Sequence, residues 1–233
     1  GALQNKGRLR GAPPCLAQLE KVGQGHEARW HLGRYHAAGG MDVFCDKTPL
    51  QATDIIIDVF LKLDRNPDEP CYKLQFHTPD SSRDDVGHML LAAEEGVSAL
   101  RGMRVHESYR GRGLSKVLLA VWLRMCIAGN IRPSTRVINK PLLSLSLTRL
   151  GFTPTNGRGQ IVKVTAATRL RDCERASVPV GPSAGERSAY VRTTFEAPPD
   201  AVLSAAVEDV TPGSLHLAAS AEALRHALTL GRS

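Results

Sequence analysis

The sequence predicts a single α+β domain built around a central β-sheet. Three features support this. Several strand-like apolar runs occupy the first third of the chain, a hairpin then leads through a Gly-rich turn into a helix, and a strand–helix–strand order follows. At 233 residues and 42% hydrophobic composition, the chain is long enough to bury one full core. We therefore expect one domain with short appendages.

The N-terminal half is rich in strand patterns. Runs at 29–35, 41–45, 55–63 and 72–77 are apolar or alternate, and the third is mostly β-branched and bounded by turn residues, so we expect it to be a central strand. Residues 89–95 and 97–105 flank Gly96 and predict an antiparallel hairpin.

Helices and strands alternate in the second half. Helical periodicity spans 113–128 and ends at Gly129, and Pro141 begins a helix at 141–150. A short strand is expected at 137–138, further strands at 161–166 and 190–196, and a last helix at 218–230.

We divide the chain into three parts. Residues 1–25 are a basic flexible tail and lead-in, 26–200 form the domain, and 201–233 form a C-terminal extension that ends in a helix. The basic, acid-free start is also compatible with the remnant of an organelle-targeting segment.

The most informative stretch is 101–128, which combines a strand end, a Gly-rich turn and a helix. Arg110-Gly111-Arg112-Gly113-Leu114-Ser115 places two glycines directly before the helix. The first N–H groups of a helix have no intrahelical partner, and glycines let an anion approach the backbone closely. The stretch therefore predicts an anion-binding loop.

The charge distribution supports this prediction. Residues 101–149 carry ten Lys or Arg and one acid, Glu107, and so sum to +9, whereas the whole chain carries +7. Everything outside this segment therefore sums to −2. The excess of positive charge around the loop favours a polyanionic ligand.

Two common phosphate-loop patterns do not fit. The nucleoside-triphosphate loop needs Lys and then Ser or Thr after its last glycine, but Leu114 and Ser115 follow Gly113. The dinucleotide fingerprint needs a third glycine where Lys116 stands.

The loop instead resembles the acyl-CoA-binding motif of the GNAT superfamily of N-acetyltransferases, Arg/Gln-x-x-Gly-x-Gly/Ala after a strand ending in Val. Val105 and residues 110–115 match it, except that Ser115 replaces Gly or Ala. Downstream, Asn139 and the Leu150-Gly151-Phe152 end of the next helix are similar to a second family motif. The resemblance covers residues 85–155.

The resemblance implies a GNAT-like domain, with a twisted mixed sheet that splays between two central strands and is flanked by helices. Acetyl-CoA would lie in the splay, and no metal is implied. The cofactor-binding residues of such a domain would include backbone groups, basic side chains and Asn139 at the strand end. These residues are Met103, Val105, Arg110, Gly111, Arg112, Gly113, Leu114, Ser115 and Asn139.

Catalytic residues are harder to assign. Transfer from a thioester to an amine needs a base for the amine and an acid for the thiolate. The family often places a Tyr acid where this chain has Leu147, so we take the neighbouring Ser146 as candidate acid. His106 directly follows the strand, and histidine is the side chain that most often acts as a general base, which makes His106 the candidate base.

Two hypotheses follow. The chain is an acyl-CoA-dependent N-acetyltransferase acting on an amine of a small molecule or protein, or a non-catalytic GNAT-like module that acts in a larger assembly through its basic face. Direct nucleic-acid binding ranks lower, because few aromatic side chains are available for bases to stack on. The basic segment 101–149 contains two, Tyr109 and Trp122. Scattered cysteines and the lack of a membrane-length apolar run suggest an intracellular, cytoplasmic protein, or an organellar one, without membrane partners.

Overall fold

The computed structural model describes residues 19–24, 28–37, 55–64, 71–79, 85–94, 96–110, 114–155, 159–165, 187–208, 210–212 and 217–229. These ranges contain twelve strands and four α-helices. The strands are β1 (Lys21–Val22), β2 (Arg29–Ala37), β3 (Ile55–Asp64), β4 (Cys71–His77), β5 (Asp85–Glu94), β6 (Val97–Val105), β7 (Arg132–Thr135), β8 (Thr153–Pro154), β9 (Gln160–Val164), β10 (Arg187–Val191), β11 (Phe195–Glu196) and β12 (Val210–Pro212). The helices are α1 (Leu114–Ala128), α2 (Pro141–Arg149), α3 (Asp200–Ala206) and α4 (Leu217–Thr229).

The architecture is α+β, as expected, and its main element is a large mixed sheet. The strand order is β1-β2-β3-β4-β5-β6-β7-β11-β8, and β12 pairs with β2. From β1 to β6 each strand pairs antiparallel with the next, whereas β6 and β7 pair in parallel through the crossover that contains α1. A separate two-stranded sheet joins β9 to β10.

The core forms where α1 and α4 pack on one face of the sheet. Alternating strand residues such as Ile57, Val59 and Leu61 point into it and are fully buried. Helix α1 buries ten of its residues, including Leu118 and Trp122, so its apolar character on most sides reflects near-complete enclosure.

The C-terminal segment is part of this core. Strand β12 extends the sheet beside β2, and Leu224 of α4 is fully buried. Arg124 of α1 donates to the carbonyls of Val207 (2.7 Å) and Glu208 (2.9 Å), which ties the segment to the central helix.

Several sequence-based element boundaries were wrong. The strand expected at 137–138 lies instead at Arg132–Thr135, and Ile138 forms an isolated bridge. The true strand was missed because it contains Pro133, and proline is uncommon within strands. The strand expected at 190–196 is divided into β10 and β11, since Arg192 adopts a left-handed φ of 55°. Strands β1, β8 and β12 and helix α3 were not expected, and β1 lies in the stretch 1–25 that was predicted to be a tail and lead-in. The strand expected at 41–45 lies outside the described residues.

One buried polar contact fixes α1 against β6. The indole Nε1 of Trp122 donates to Oγ of Ser98 at 2.8 Å, and both side chains are fully buried. Burial raises the pKa of the neighbouring Cys126 thiol despite its hydrogen bond to Ser98, so the thiol stays protonated at neutral pH. The contact sets the position of α1 along the strand that precedes it.

We expect Ser98→Ala to lower the free energy of unfolding by about 1–3 kcal/mol, because the Trp122 donor is left buried without its acceptor. Urea unfolding followed by Trp fluorescence measures this change. Ser188→Ala, at an exposed strand position, is the matched control and should change stability by less than about 0.5 kcal/mol. Equal effects of the two substitutions would show that the contact does not stabilise the fold.

Candidate functional site

The sheet opens between β6 and β7. The two strands pair in parallel from Val97↔Arg132 to Leu100↔Thr135, and the last bond runs from the Arg136 N–H to the Leu100 carbonyl at 2.8 Å. Strand β6 continues to Val105 and stays paired with β5 on its other side. A gap therefore lies beside the second half of β6.

The gap exists because the chain after β7 changes partner. The Ile138 N–H donates to the Thr193 carbonyl (2.8 Å), and the Arg192 N–H donates to the Ile138 carbonyl (2.6 Å). A backbone N–H or C=O group can form only a few hydrogen bonds. Because both groups of Ile138 bond to the segment around Thr193, residue 138 lies away from β6. The left-handed backbone at Arg192 turns the partner segment into place.

A β-bulge decides which backbone groups of β6 face the gap. Leu91 pairs with Leu100 but Leu90 pairs with Gly102, so Arg101 is an extra residue on β6. Before the bulge, the Gly96 and Leu100 carbonyls bond to β7 and its continuation; after it, the His106 N–H donates to Val86 beside β5 at 2.9 Å. The extra residue thus reverses the alternation of the strand.

The N–H and C=O groups of Met103 and Val105 consequently face the gap. Two side-chain contacts agree with this orientation. Lys140 Nζ lies 3.5 Å from the Met103 carbonyl, and Arg110 Nε donates to the Val105 carbonyl at 3.1 Å. The edge of β6 therefore offers peptide groups in the extended spacing that an amide-containing ligand can pair with.

The end of β6 also approaches β5 and α1 closely. Gly87 lies opposite Val105, and a Cβ at this position would stand 2.3 Å from the Arg104 carbonyl oxygen and 3.2 Å from Leu118 of α1. Only a residue without a side chain permits this approach. Gly87 thereby helps to hold the gap-facing end of β6 next to the helix.

Helix α1 begins close to that end of the strand. Arg110, whose guanidinium also lies 3.4 Å from Glu107, ties the start of the loop to Val105. Leu114 is buried in the core, while Ser115 and Lys116 are partly exposed in the first turn. Gly111, Arg112 and Gly113 lie outside the described residues. The first-turn N–H groups add positive potential at this place.

The two candidate catalytic residues occupy different surroundings. His106 directly follows β6 and is exposed, with its ring 6.5 Å from that of Tyr109. Ser146 is 2% exposed, and its hydroxyl donates to the Leu142 carbonyl of its own helix at 3.1 Å. The hydroxyl of Ser146 is thus directed along α2 and away from solvent.

Two further positions near α2 were singled out from the sequence. Leu147, the position next to the candidate acid Ser146, is fully buried in the core. Asn139 is exposed between the Ile138 bridge and the start of α2. The structure therefore brings Met103, Val105 and Arg110 together and leaves Ser146 and Leu147 facing the interior.

Sequence reasoning missed two contributors to the site. Lys140 was noted only as part of the basic segment, although it reaches the Met103 carbonyl across the gap. The bulge at Arg101 was not expected, and the signal that marks it is Gly102, because a glycine within a strand often accompanies a bulge.

Comparisons of the chain with family models, with curated proteins and with solved structures give no match. Among the described residues, no group of three or more His, Cys, Asp or Glu side chains is placed to hold a metal ion. None of the helices in the described ranges is long and apolar enough to cross a membrane.

We expect Gly87→Ala to displace the end of β6, because its Cβ would overlap the Arg104 carbonyl oxygen. Stability should fall by about 1–3 kcal/mol. Gly102→Ala is the matched control, since nothing lies within 4 Å of a Cβ built there. Thermal unfolding of both variants measures the difference, and an equal loss of stability would contradict the close approach described here.

Proposed function

We propose that the chain is an acyl-CoA-dependent N-acetyltransferase that transfers an acetyl group to an amine of a small molecule or protein. The observation that carries the proposal is the juxtaposition of three features. The gap beside β6, the gap-facing groups of Met103 and Val105, and the N-terminus of α1 all lie at one end of the sheet.

This arrangement fits the chemistry of acyl-CoA. The pantetheine arm is extended and carries amide groups, which match the N–H and C=O groups of Met103 and Val105. The pyrophosphate is a dianion, which matches the first-turn N–H groups of α1 from Leu114 onward. Arg110 and Lys116 would supply positive charge beside the phosphates, and Asn139, which is exposed just after the Ile138 bridge, would contribute a polar side chain.

The protein has three tasks in this reaction: to hold the thioester and the amine together, to remove a proton from the amine and to deliver a proton to the thiolate. His106 is our candidate for the base because it is exposed at the end of β6. Ser146 is a weaker candidate for the acid, because its hydroxyl already donates to Leu142. Solvent water can supply the proton in its place.

The second candidate is a non-catalytic GNAT-like module that acts in a larger assembly through its basic face. The buried Leu147 favours this candidate, since the position that often carries the acid in the family has no polar atom. In both cases we expect acetyl-CoA or CoA to bind and an intracellular setting.

We expect Ser115→Asp to weaken CoA binding at least about 10-fold. A carboxylate in the first turn of α1 would lie close to the pyrophosphate, and like charges 4 Å apart repel by about 4 kcal/mol at an effective dielectric constant of ~20. Isothermal titration calorimetry with CoA and acetyl-CoA measures the loss.

An acidic residue at a helix N-terminus stabilises the helix, so this variant should fold at least as well as wild type. Ser115→Asn, which has the same shape without the charge, is the control and should keep its affinity within about threefold. Unchanged affinity in Ser115→Asp would place the phosphates elsewhere. If wild type shows neither calorimetric binding nor a rise in Tm with millimolar CoA, the proposal fails.

The two catalytic candidates predict different outcomes when each is replaced. We expect His106→Gln to lower kcat by about 100-fold at unchanged CoA affinity, which is the usual contribution of a general base. Ser146→Ala should leave kcat within about twofold, because its hydroxyl is buried and engaged. The measurement is acetylation of a broad panel of small amines and lysine peptides.

If wild type acetylates no member of the panel although it binds CoA, the non-catalytic module replaces the enzyme. If Ser146→Ala, but not His106→Gln, loses turnover, the assignment of base and acid is wrong.

A further inference from the structure

Two cationic side chains lie over the carbonyl groups that face the gap beside β6. Lys140, at the start of α2 on the far wall, places Nζ 3.5 Å from the Met103 carbonyl oxygen. Arg110, at the start of the loop before α1, donates from Nε to the Val105 carbonyl at 3.1 Å. Both carbonyls that an amide-containing ligand could use are therefore already hydrogen-bonded to a positive charge.

These contacts also place side-chain atoms in the opening. Lys140 and Met103 stand on opposite walls, so the lysine side chain crosses the gap at the level of Met103. Arg110 follows β6 in the chain and folds back, so its guanidinium lies beside the Val105 carbonyl. An extended ligand that pairs with the edge of β6 has to move both side chains.

The two contacts differ in how strongly they resist displacement. Lys140 is exposed and its bond is long, so water can replace the Met103 carbonyl at little cost. The Arg110 side chain is only 22% exposed and makes a second contact, of 3.4 Å from Nη1 to Glu107. A partly buried guanidinium that loses a carbonyl needs another acceptor, because burying an unsatisfied charge is costly. Arg110 therefore holds the edge of β6 more strongly than Lys140 does.

A phosphate group is the acceptor best suited to replace the lost carbonyl. Among the described residues, the contacts of Arg110 engage Nε and Nη1, and Glu107 at Nη1 offsets part of the charge. When Nε is released from Val105, Nε and Nη2 together form the fork that binds a phosphate through two parallel bonds. The first turn of α1 begins four residues later, at Leu114, and its N–H groups attract an anion to the same place.

We propose that Arg110 and Lys140 form a two-cation latch that makes the gap selective for phosphate-bearing pantetheine donors over uncharged pantetheine thioesters. The latch, which rests on the acyl-CoA site proposed above, works by an exchange of hydrogen-bond partners. A phosphate takes Arg110 from Val105, and the freed carbonyls of Val105 and Met103 accept the amide N–H groups of the pantetheine arm. An uncharged ligand breaks the same contacts without supplying a new acceptor for the guanidinium.

A latch and a simple attraction of charges predict different results for an uncharged ligand. If Arg110 and Lys140 only attract phosphates, their removal weakens the binding of phosphorylated ligands and leaves the binding of pantetheine unchanged. If they also cover the carbonyls, their removal uncovers the edge of β6, and pantetheine binds more tightly. The direction of the change in pantetheine affinity therefore separates the two.

The test is titration of the full chain with pantetheine and with 4′-phosphopantetheine, which differ by one phosphate, while NMR follows the amide resonances of Met103 and Val105. Arg110→Met removes the guanidinium and keeps an unbranched side chain. We expect it to raise the affinity for pantetheine by about 3- to 10-fold, because the Val105 carbonyl is released. The affinity for 4′-phosphopantetheine should fall by about 10-fold, because the charge-assisted bond to the phosphate is lost.

A second variant keeps the proposal testable if Arg110→Met disturbs the loop. Lys140→Met should also raise the affinity for pantetheine, by about twofold, because the bond of the exposed Lys140 is weaker. Lys163→Met, on the separate β9–β10 sheet, is the control and should change neither affinity.

The outcomes separate the latch from the site on which it acts. If wild type binds CoA but neither Arg110→Met nor Lys140→Met binds pantetheine more tightly, the latch is wrong and the acyl-CoA site stands. Absence of pantetheine binding in every variant counts as the same result, since uncovering the carbonyls then gains nothing. If wild type does not bind CoA, the site fails and the latch fails with it.

Discussion

One change of backbone partner determines the shape of the candidate site. Strand β7 follows β6 only as far as the bond between Arg136 and Leu100, and the next bonds of this chain go to the segment around Thr193. Nearly all buried peptide groups need hydrogen-bond partners. The change of partner from β6 to the segment around Thr193 opens the sheet at one place and still pairs the chain after β7. The bulge at Arg101 then turns the peptide groups of Met103 and Val105 into the opening.

The packing around the gap keeps this geometry in place. Trp122 bonds to Ser98 and sets α1 along β6, Gly87 lets β5 and α1 approach the end of that strand, and Arg110 holds the start of the loop against Val105. Not all of the positive charge in residues 101–149 is available to bind a ligand. Arg124 is bonded to the C-terminal segment, and Arg132 lies 2.8 Å from Glu196, so these two cations already have partners within the fold.

The sequence allowed much of this architecture to be predicted, for physical reasons that differ between elements. The 55–63 run and the 113–128 helix carry strong periodicity, and their boundaries were found to within one residue. The strand at Arg132–Thr135 was missed because Pro133 is a poor strand former that tertiary pairing with Ser98 overrides. The bulge at Arg101 could not be located from local patterns, because it depends on the register between β5 and β6. Likewise, His31, Phe60 and His77 meet only through strand pairing.

The most direct test of the proposed acyl-CoA site is to follow individual backbone amides by NMR during titration with CoA. The amide resonances of Met103 and Val105, which face the gap, should shift strongly and saturably. Those of Gly102 and Arg104, which face β5 by alternation, should shift much less. Shifts of equal size along the whole of β6, or shifts confined to residues away from Met103 and Val105, would contradict the proposed site.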